Sequence, residues 1–295
     1  MTKRQTGRFG DNPNVPATRG APLPLVTQPM VAVDDPGATR VDNPLQRVDP
    51  TLAGAVFARP TVAVATPRPT PAGPPPEIGL TQHTLPQDEP LDPRLALVSD
   101  PDGERAAAFR VLRHHLLELG RPQVVIVSSP QPGDGKTSTA LNLALALAEC
   151  GRAKVLLAET HVRRPQLSQA FRLVPPWCFA EQLAAHRHQP MLPWSLVEIP
   201  QLWLHVAAIS PKIEKTQLLD APAFSIAMER LRVGGYEHIV IDAPPVLGSA
   251  DVNLMSDAAD AVVLAVKARR STTRDLRKAI DQIGASKVVG TVLVR

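Results

Sequence analysis

The pattern of hydrophobic and polar positions divides the chain into two unlike parts. Prolines crowd the first hundred residues, and segments such as 66–71 and 73–76 show neither a helical nor a strand period. From residue 101 onward, apolar residues recur with the spacings of helices and strands. The pattern therefore predicts a disordered Pro-rich arm or linker over residues 1–100 and one folded domain over residues 101–295.

Helical spacing is clearest at the start of the folded part. Over residues 104–119 apolar residues recur every three or four positions, and the charged residues lie elsewhere around the helix. These apolar residues are Phe109, Leu112, Leu116 and Leu119. A second helix, 137–150, is apolar almost all round and so is expected to be buried, and two more are predicted at 222–232 and 273–283.

Short apolar runs alternate with these helices and predict strands. The predicted strands are 124–127, 154–158, 204–209, 239–242, 261–266 and 288–294. Strands that alternate with helices favour an α/β fold, with a doubly wound, mostly parallel sheet covered by helices on both faces. Residues 177–200 contain three prolines and are predicted to form a surface insertion.

Composition excludes several classes of protein. The formal charge is +4, but basic and acidic residues are interspersed, so we expect no nucleic-acid partner. The two cysteines, Cys150 and Cys178, lack metal-ligand spacing and fit a reducing cytosol. No apolar run resembles a signal peptide or spans a bilayer, so we expect a cytoplasmic protein without a membrane span.

A Gly-rich segment between a predicted strand and a predicted helix has the composition of a phosphate-binding loop. Its glycines let backbone N–H groups turn toward phosphates at a helix N-terminus, Lys136 can reach the β- and γ-phosphates, and the Thr137 hydroxyl can bind Mg²⁺. The predicted phosphate-binding residues are Pro132, Gly133, Asp134, Gly135, Lys136, Thr137 and Ser138. Pro130 replaces the first glycine of the usual pattern, and the alternative is a chance turn before a helix.

Asp242 is a second and independent indication of nucleotide chemistry. It ends the predicted strand 239–242, and an acid at the carboxyl end of a neighbouring strand can hold a water on Mg²⁺. The alternative is a carboxylate that only caps a helix or turn. Together with the loop, Asp242 is predicted to bind Mg²⁺ and to serve catalysis.

Several spaced blocks in residues 104–295 resemble the kinase domain of bacterial tyrosine kinases of the capsule and exopolysaccharide type. This family is related to the MinD/ParA-like P-loop ATPases. The blocks read AAFRVLR, PGDGKT, VRRP, LLDAPAF, YEHIVIDAPPV and ADV, in that order along the chain. Gln131 and Pro132 stand where the MinD and ParA branches carry an extra lysine, which favours the polysaccharide-kinase branch.

The resemblance implies ATP and Mg²⁺ as cofactors, and Lys136, Asp242 and a pair of acids after the second strand as catalytic groups. This sequence has Glu159 and His161 in place of that pair. Glu159 could still act as catalytic group and Mg²⁺ ligand, although misplacement of a carboxylate by about 1 Å can cost about 100-fold in rate. Histidine does not replace a carboxylate on Mg²⁺, so the alternative for His161 is a surface-loop residue.

The resemblance also implies partners, and here too the sequence departs from the family. Family members act with a membrane polysaccharide co-polymerase of the chain-length-determinant type, and they self-associate. Their tyrosine-rich tail has no counterpart, because Tyr236 is the single tyrosine of this sequence. Ala107 replaces a glutamate of the ring-assembly motif, while Arg110 and Arg113 remain, and Val294 replaces an asparagine near the base.

Three hypotheses remain open at this stage. The first is an ATP-binding, kinase-like regulator of exopolysaccharide or capsule synthesis and export, a pseudokinase with weak or no activity, which a partner recruits to the inner face of the membrane. The second is an active tyrosine kinase or ATPase that uses Glu159. The third is a non-enzymatic adaptor that presents residues 66–76 as a polyproline helix.

Overall fold

The computed structural model describes residues 30–33, 74–86, 89–213 and 220–295. The remainder of the predicted arm lies outside the described residues. It includes the proline-rich run at 66–71 and thus most of the segment 66–76 for which a polyproline helix is hypothesised. For residues 30–33 the structure gives the course of the backbone.

The described residues contain a single sheet of nine strands in the order β1-β9-β8-β3-β7-β4-β6-β5-β2. The strands are β1 (Met30–Val33), β2 (Ile78–Gln82), β3 (Val124–Ser128), β4 (Val155–Glu159), β5 (Trp194–Ile199), β6 (Leu204–Ala207), β7 (His238–Asp242), β8 (Ala261–Lys267) and β9 (Val288–Val294). All neighbouring pairs run parallel except β5 and β6, which run antiparallel. The predicted doubly wound, mostly parallel α/β sheet is confirmed.

Helices cover both faces of this sheet. Within the described residues they are α1 (Ala96–Ser99), α2 (Glu104–Glu118), α3 (Lys136–Ala148), α4 (Leu167–Ala170), α5 (Phe179–His188), α6 (Ala221–Val233), α7 (Asp251–Ser256) and α8 (Thr273–Ile283). One hydrophobic cluster joins α2 and α3 to one face, and a second joins α5, α6, α7 and α8 to the other.

The sequence of strand β3 is continuously apolar because the strand is buried on both faces of the sheet. Val125 and Val127 belong to the first cluster, whereas Val124 and Ile126 belong to the second. Successive side chains of a strand point to opposite faces, so a strand in the middle of a sheet with helices on both faces needs apolar residues at every position.

The predicted domain boundary near residue 100 is wrong for part of the arm. Strand β2 pairs with β5, strand β1 pairs with β9, and Leu95 and Ala96 are buried in the core. Prolines flank β2 without interrupting it, and an edge strand hydrogen-bonds to one neighbour only, so a short proline-free segment can join the sheet there. The folded unit therefore includes residues from the segment predicted to be disordered.

The predicted surface insertion at 177–200 is also wrong, because this segment folds into α5 and β5. Phe179 and Trp194 are fully buried, and β5 extends the sheet beside β6. Pro190, Pro193 and Pro200 lie between these elements and after β5, so the prolines mark their ends.

Among the residues that the structure describes, none of the helices has both the length and the apolar character needed to cross a bilayer.

Candidate nucleotide site

The predicted phosphate loop connects the buried strand β3 to the N-terminus of α3. Gly133 and Gly135 have positive φ angles of 84° and 92°, a backbone conformation that glycine adopts without strain. A Cβ atom would lie 2.8 Å from the Arg270 guanidinium at Gly133 and 2.9 Å from the Val294 side chain at Gly135. Both glycines are therefore favoured by conformation, and at Gly135 also by the Val294 side chain, whereas the flexible Arg270 side chain could move away from a Cβ atom at position 133.

Asp134 is fully buried inside this loop and stabilises its shape. Its Oδ2 accepts a hydrogen bond of 3.0 Å from the backbone N–H of Gln131, and the Ser129 hydroxyl donates to the Gln131 carbonyl at 2.7 Å. The neighbouring Pro132 carbonyl accepts from Arg270 at 3.0 Å. The loop thus has internal contacts, and its backbone is followed directly by Lys136 and Thr137 at the start of α3.

Lys136, Thr137 and Asp242 meet at the carboxyl edge of the sheet. Strand β7 pairs in register with β3, which brings Asp242 beside the loop. The Thr137 hydroxyl donates to Oδ2 of Asp242 at 2.8 Å, and Lys136 Nζ lies 3.9 Å from Oδ1. Burial raises the pKa of Asp242, while the positive charge of Lys136 and the Thr137 hydrogen bond oppose that shift.

The donor set at this point fits Mg²⁺. Oδ1 of Asp242 is buried and has no hydrogen-bond partner among the described residues, and the Thr137 hydroxyl lies next to the same carboxylate. Hard oxygen ligands of this kind are those that Mg²⁺ prefers, and Mg²⁺ usually retains several waters as well. One hydroxyl and one carboxylate are therefore a sufficient protein contribution.

Glu159 is directly beside Asp242, but its carboxylate already has partners. The two residues are paired in register at the ends of β4 and β7. Oε1 of Glu159 accepts the backbone N–H groups of Gln166 and, at 3.1 Å, Leu167, and Oε2 accepts that of Ile209 at 3.1 Å. To bind a metal or take a proton, Glu159 must share or release some of these hydrogen bonds.

The protonation of Glu159 is strongly perturbed. The side chain is fully buried, and burial, followed by the neighbouring charge of Asp242, raises its pKa to about 7. The three backbone N–H groups stabilise the carboxylate and limit the shift. A carboxyl group with a pKa near neutrality can exchange a proton at physiological pH, which is a property of many catalytic acids.

His161 contributes no negative charge to the site. Burial, followed by the positive charges of Lys136, Arg164 and Arg163, lowers its pKa to about 3. Its Nδ1 is buried without a hydrogen-bond partner among the described residues. A neutral imidazole therefore lies where the resemblance implies a second carboxylate.

Three further residues around the site were not predicted. Arg94 and Gln166 form a hydrogen bond on the side of Glu159, and Arg270 binds the loop through the Pro132 carbonyl. Arg270 follows strand β8, and the rule that ligands bind at the carboxyl ends of parallel strands could have indicated it. Nothing in the proline-rich sequence around Arg94 indicates such a role.

The strand, the Gly-rich loop, the following helix and the acid on the neighbouring strand define a P-loop NTPase fold. Curated relatives place the chain more closely. Tyrosine-protein kinase YwqD of Bacillus subtilis is 26% identical over 205 residues, which is 66% of this chain and 83% of YwqD. EpsB of Ralstonia solanacearum is 28% identical over 189 residues, which is 64% of this chain and 25% of EpsB.

A third relative, the succinoglycan biosynthesis transport protein ExoP of Rhizobium meliloti, is 24% identical over 207 residues, which is 67% of this chain and 26% of ExoP. The chain thus matches about a quarter of the length of EpsB and ExoP. No protein-family model matches it. The homologues of this chain are bacterial tyrosine kinases, as its motifs predict.

Solved structures support the fold. The chimerical protein CapA2B2 matches with a TM-score of 0.60 and 25% identity, over 75% of this chain and 94% of CapA2B2. The kinase domain of the Escherichia coli tyrosine kinase ETK matches with a TM-score of 0.55 and 19% identity, over 70% of this chain and 82% of that domain. The second match concerns the fold alone.

Proposed function

We propose that this protein binds ATP with Mg²⁺ and acts as a kinase-like regulator of exopolysaccharide or capsule biosynthesis, with weak or no tyrosine kinase activity. The observation that carries this proposal is that the residues suited to bind nucleotide are present, whereas those suited to catalysis are reduced. Lys136, Thr137 and Asp242 form a connected phosphate and metal group. The second pair of acids is reduced to Glu159, which is bound to backbone N–H groups.

In the nucleotide-binding half of the site, different residues would bind the phosphates and the Mg²⁺. The backbone of residues 132–138 and the N-terminus of α3 would hold the phosphates, and Lys136 would neutralise their charge. Thr137 and Asp242 would hold Mg²⁺, which stabilises the charge that develops on transferring phosphoryl oxygens. Lys136 is nine-tenths buried, so its interaction with a phosphate would be weakly screened by solvent.

The catalytic half is weak for a physical reason. Phosphoryl transfer needs a group that positions the acceptor and takes its proton. Glu159 would have to do this with a carboxylate that already accepts three backbone N–H groups, two of which fix the chain between β4 and α4, and neutral His161 provides no substitute. The geometry therefore favours binding over turnover.

A second candidate function is an active tyrosine kinase or ATPase that uses Glu159 as its base. The pKa of about 7 and the position of Glu159 beside Asp242 favour it. Phosphate release by the wild-type protein that disappears in Glu159→Gln, with ATP affinity retained, would support this candidate. An absence of phosphate release above background would exclude it.

The partner that we propose is a membrane polysaccharide co-polymerase, which would recruit this protein from the cytoplasm to the inner face of the membrane. The relative ExoP carries the name of a succinoglycan biosynthesis transport protein, and most of its length has no counterpart here. Self-association is part of the same proposal.

The first test of this proposal is ATP binding with Mg²⁺, measured by calorimetry on the wild type and on Lys136→Ala. Removal of a charged phosphate partner should weaken binding by roughly 100-fold. Lys278→Ala is the matched control, because Lys278 is an exposed lysine on α8, outside the phosphate loop. The control should bind ATP as the wild type does.

Two outcomes would contradict the proposal. If the wild-type protein binds no ATP while its thermal unfolding is cooperative, the chain is better explained as an adaptor on a P-loop fold. If Lys136→Ala binds as well as Lys278→Ala, the nucleotide occupies another site. Phosphate release measured in the same samples separates the pseudokinase from the active enzyme.

A further inference from the structure

Residues 89–99, here called the strap, lie against the phosphate-loop helix. Asn142 of α3 donates from Nδ2 to the Arg94 carbonyl at 2.6 Å and accepts the Leu97 backbone N–H at Oδ1 at 3.2 Å. Leu95 and Ala96 are buried between these two contacts. The side chain of one helix residue therefore binds the backbone of the strap on both sides of a buried anchor.

The Arg94 side chain reaches in the other direction, to the loop that follows β4. Its NH1 donates to Oε1 of Gln166 at 3.0 Å, and its Nε and NH2 groups bind the Asp92 carboxylate at distances between 2.6 and 3.1 Å. The backbone N–H of the same Gln166 donates to the Glu159 carboxylate. Arg94 is thus connected to Glu159 by hydrogen bonds through a single intervening residue, Gln166.

These contacts join the two halves of the candidate site. The phosphate loop leads into α3, which carries Asn142, and the acid half depends on the loop that carries Gln166. The Arg94 backbone binds the first and the Arg94 side chain binds the second. Only about a fifth of the Arg94 side chain is exposed, and Asp92 holds the guanidinium in a fixed orientation.

We infer that Arg94 is a positioning residue, which sets the distance between the phosphate-loop helix and the Glu159 loop and so tunes nucleotide binding. This inference rests on the proposed function, because it assigns a role at the same site. Arginine suits the role, since its planar fork can bind a carboxylate and an amide oxygen together. A flexible side chain would leave the Gln166 loop free to move.

The test compares ATP affinity in Arg94→Ala, Arg94→Lys and a control. Arg94→Ala should weaken ATP binding by about 10-fold, the range expected for loss of a hydrogen bond to a charged group. Arg94→Lys should recover part of the affinity, because an ammonium group can reach one acceptor but lacks the fork. Arg172→Ala is the control, since Arg172 holds the same strap at Glu89 and Pro90 rather than at Gln166.

A second measurement does not depend on nucleotide. Hydrogen exchange at the backbone amides of Gln166 and Leu167 should be about 10-fold faster in Arg94→Ala, because Arg94 holds the loop that brings these amides to the Glu159 carboxylate, which protects them. Exchange at Ile209, which follows β6 and donates to the other Glu159 oxygen, should change much less.

The outcomes separate this inference from the proposed function. Unchanged exchange at Gln166 and Leu167 in Arg94→Ala would overturn the positioning role, whatever the nucleotide result. An equal loss of affinity in Arg172→Ala would also overturn it, because the strap as a whole would then be responsible. Faster exchange in a protein that binds no ATP would uphold the positioning role and reject the proposed function.

Discussion

At the scale of single residues, Glu159 shows what a sequence motif leaves undetermined. The sequence places an acid at the end of a strand next to Asp242, and the structure places it there as well. Which groups occupy its oxygens depends on residues 7, 8 and 50 positions further along the chain. Such contacts come from the folding of loops, for which a one-dimensional pattern has no signal.

The perturbed pKa of Glu159 predicts a pH dependence of stability. In the unfolded chain the pKa has its ordinary value of 4.5, and in the folded protein it is about 7. Between these values the folded protein binds more protons than the unfolded chain, so the free energy of unfolding falls as pH rises through this window. The shift corresponds to roughly 3 kcal/mol for an isolated group.

This pH dependence is measured as the difference between wild type and Glu159→Gln. His161 has a folded pKa of about 3, below its ordinary 6.5, so it lowers stability as pH falls through that range and partly masks the effect of Glu159. Because both proteins retain His161, the difference between their urea-unfolding free energies removes its contribution. From pH 5 to 7.5 the wild type should lose stability relative to the variant, and parallel curves would contradict the assignment.

At the scale of helices and strands, the sequence predicts the parts that the core determines. The bounds of α8 and β9 agree with the predicted 273–283 and 288–294, and the other predicted strands end within two residues of the observed ones. Strands β1, β2 and β5 were missed because prolines lie beside them. Strands β1 and β2 are the two edges of the sheet and pair on one side, so they need less continuous apolar sequence than central strands do.

Helices α2 and α3 are joined by an ionic cluster that the resemblance did not predict. Arg110 binds both oxygens of Glu149 at 2.7 to 3.2 Å, and Arg113 binds the same carboxylate at 3.0 Å. These are the two arginines that the resemblance connects with ring assembly, and here both bind a glutamate of their own chain. The cluster therefore ties the first amphipathic helix to the end of the phosphate-loop helix.

Glu149→Ala is expected to destabilise the protein by about 1 kcal/mol, because each partner is more than a quarter exposed and solvent weakens the pairs. Glu118→Ala is the matched control, since within the described part of the chain Glu118 forms an exposed pair with His114 on the same helix. It should change the free energy of urea unfolding by less than about 0.5 kcal/mol. Equal effects of the two substitutions would indicate that the cluster adds nothing to stability.

At the scale of the whole molecule, the sheet explains why the site was predictable and its surroundings were not. In a parallel sheet the carboxyl ends of β3, β4 and β7 lie at one edge, so a loop and two acids that are distant in sequence converge. That convergence follows from the order of elements. The position of the strap does not follow from the order of elements. It depends on hydrogen bonds between Arg94 and two residues, Asn142 and Gln166, which lie 48 and 72 residues further along the chain.

The same sheet separates the single tyrosine of this sequence from the phosphate site. Tyr236 lies just before β7, whereas Asp242 ends that strand, so roughly 20 Å of strand lies between them. The Tyr236 ring is buried, Lys154 lies 4.7 Å from its centre, and its hydroxyl is 2.8 Å from Nδ1 of His205. Burial raises the pKa of this hydroxyl, so it stays protonated at physiological pH.

We therefore expect that incubation with ATP and Mg²⁺ leaves Tyr236 unphosphorylated, as judged by mass spectrometry of the folded protein. Tyr236→Phe removes one buried hydrogen bond and should lower the free energy of unfolding by about 1 kcal/mol, without any change in ATP affinity.

An added tyrosine-containing peptide serves as the positive acceptor. If the peptide is phosphorylated and Tyr236 is not, the active-kinase candidate gains support and its substrate must be another chain. Phosphate on Tyr236 would require the chain to open at the buried end of β7, contrary to the geometry described above.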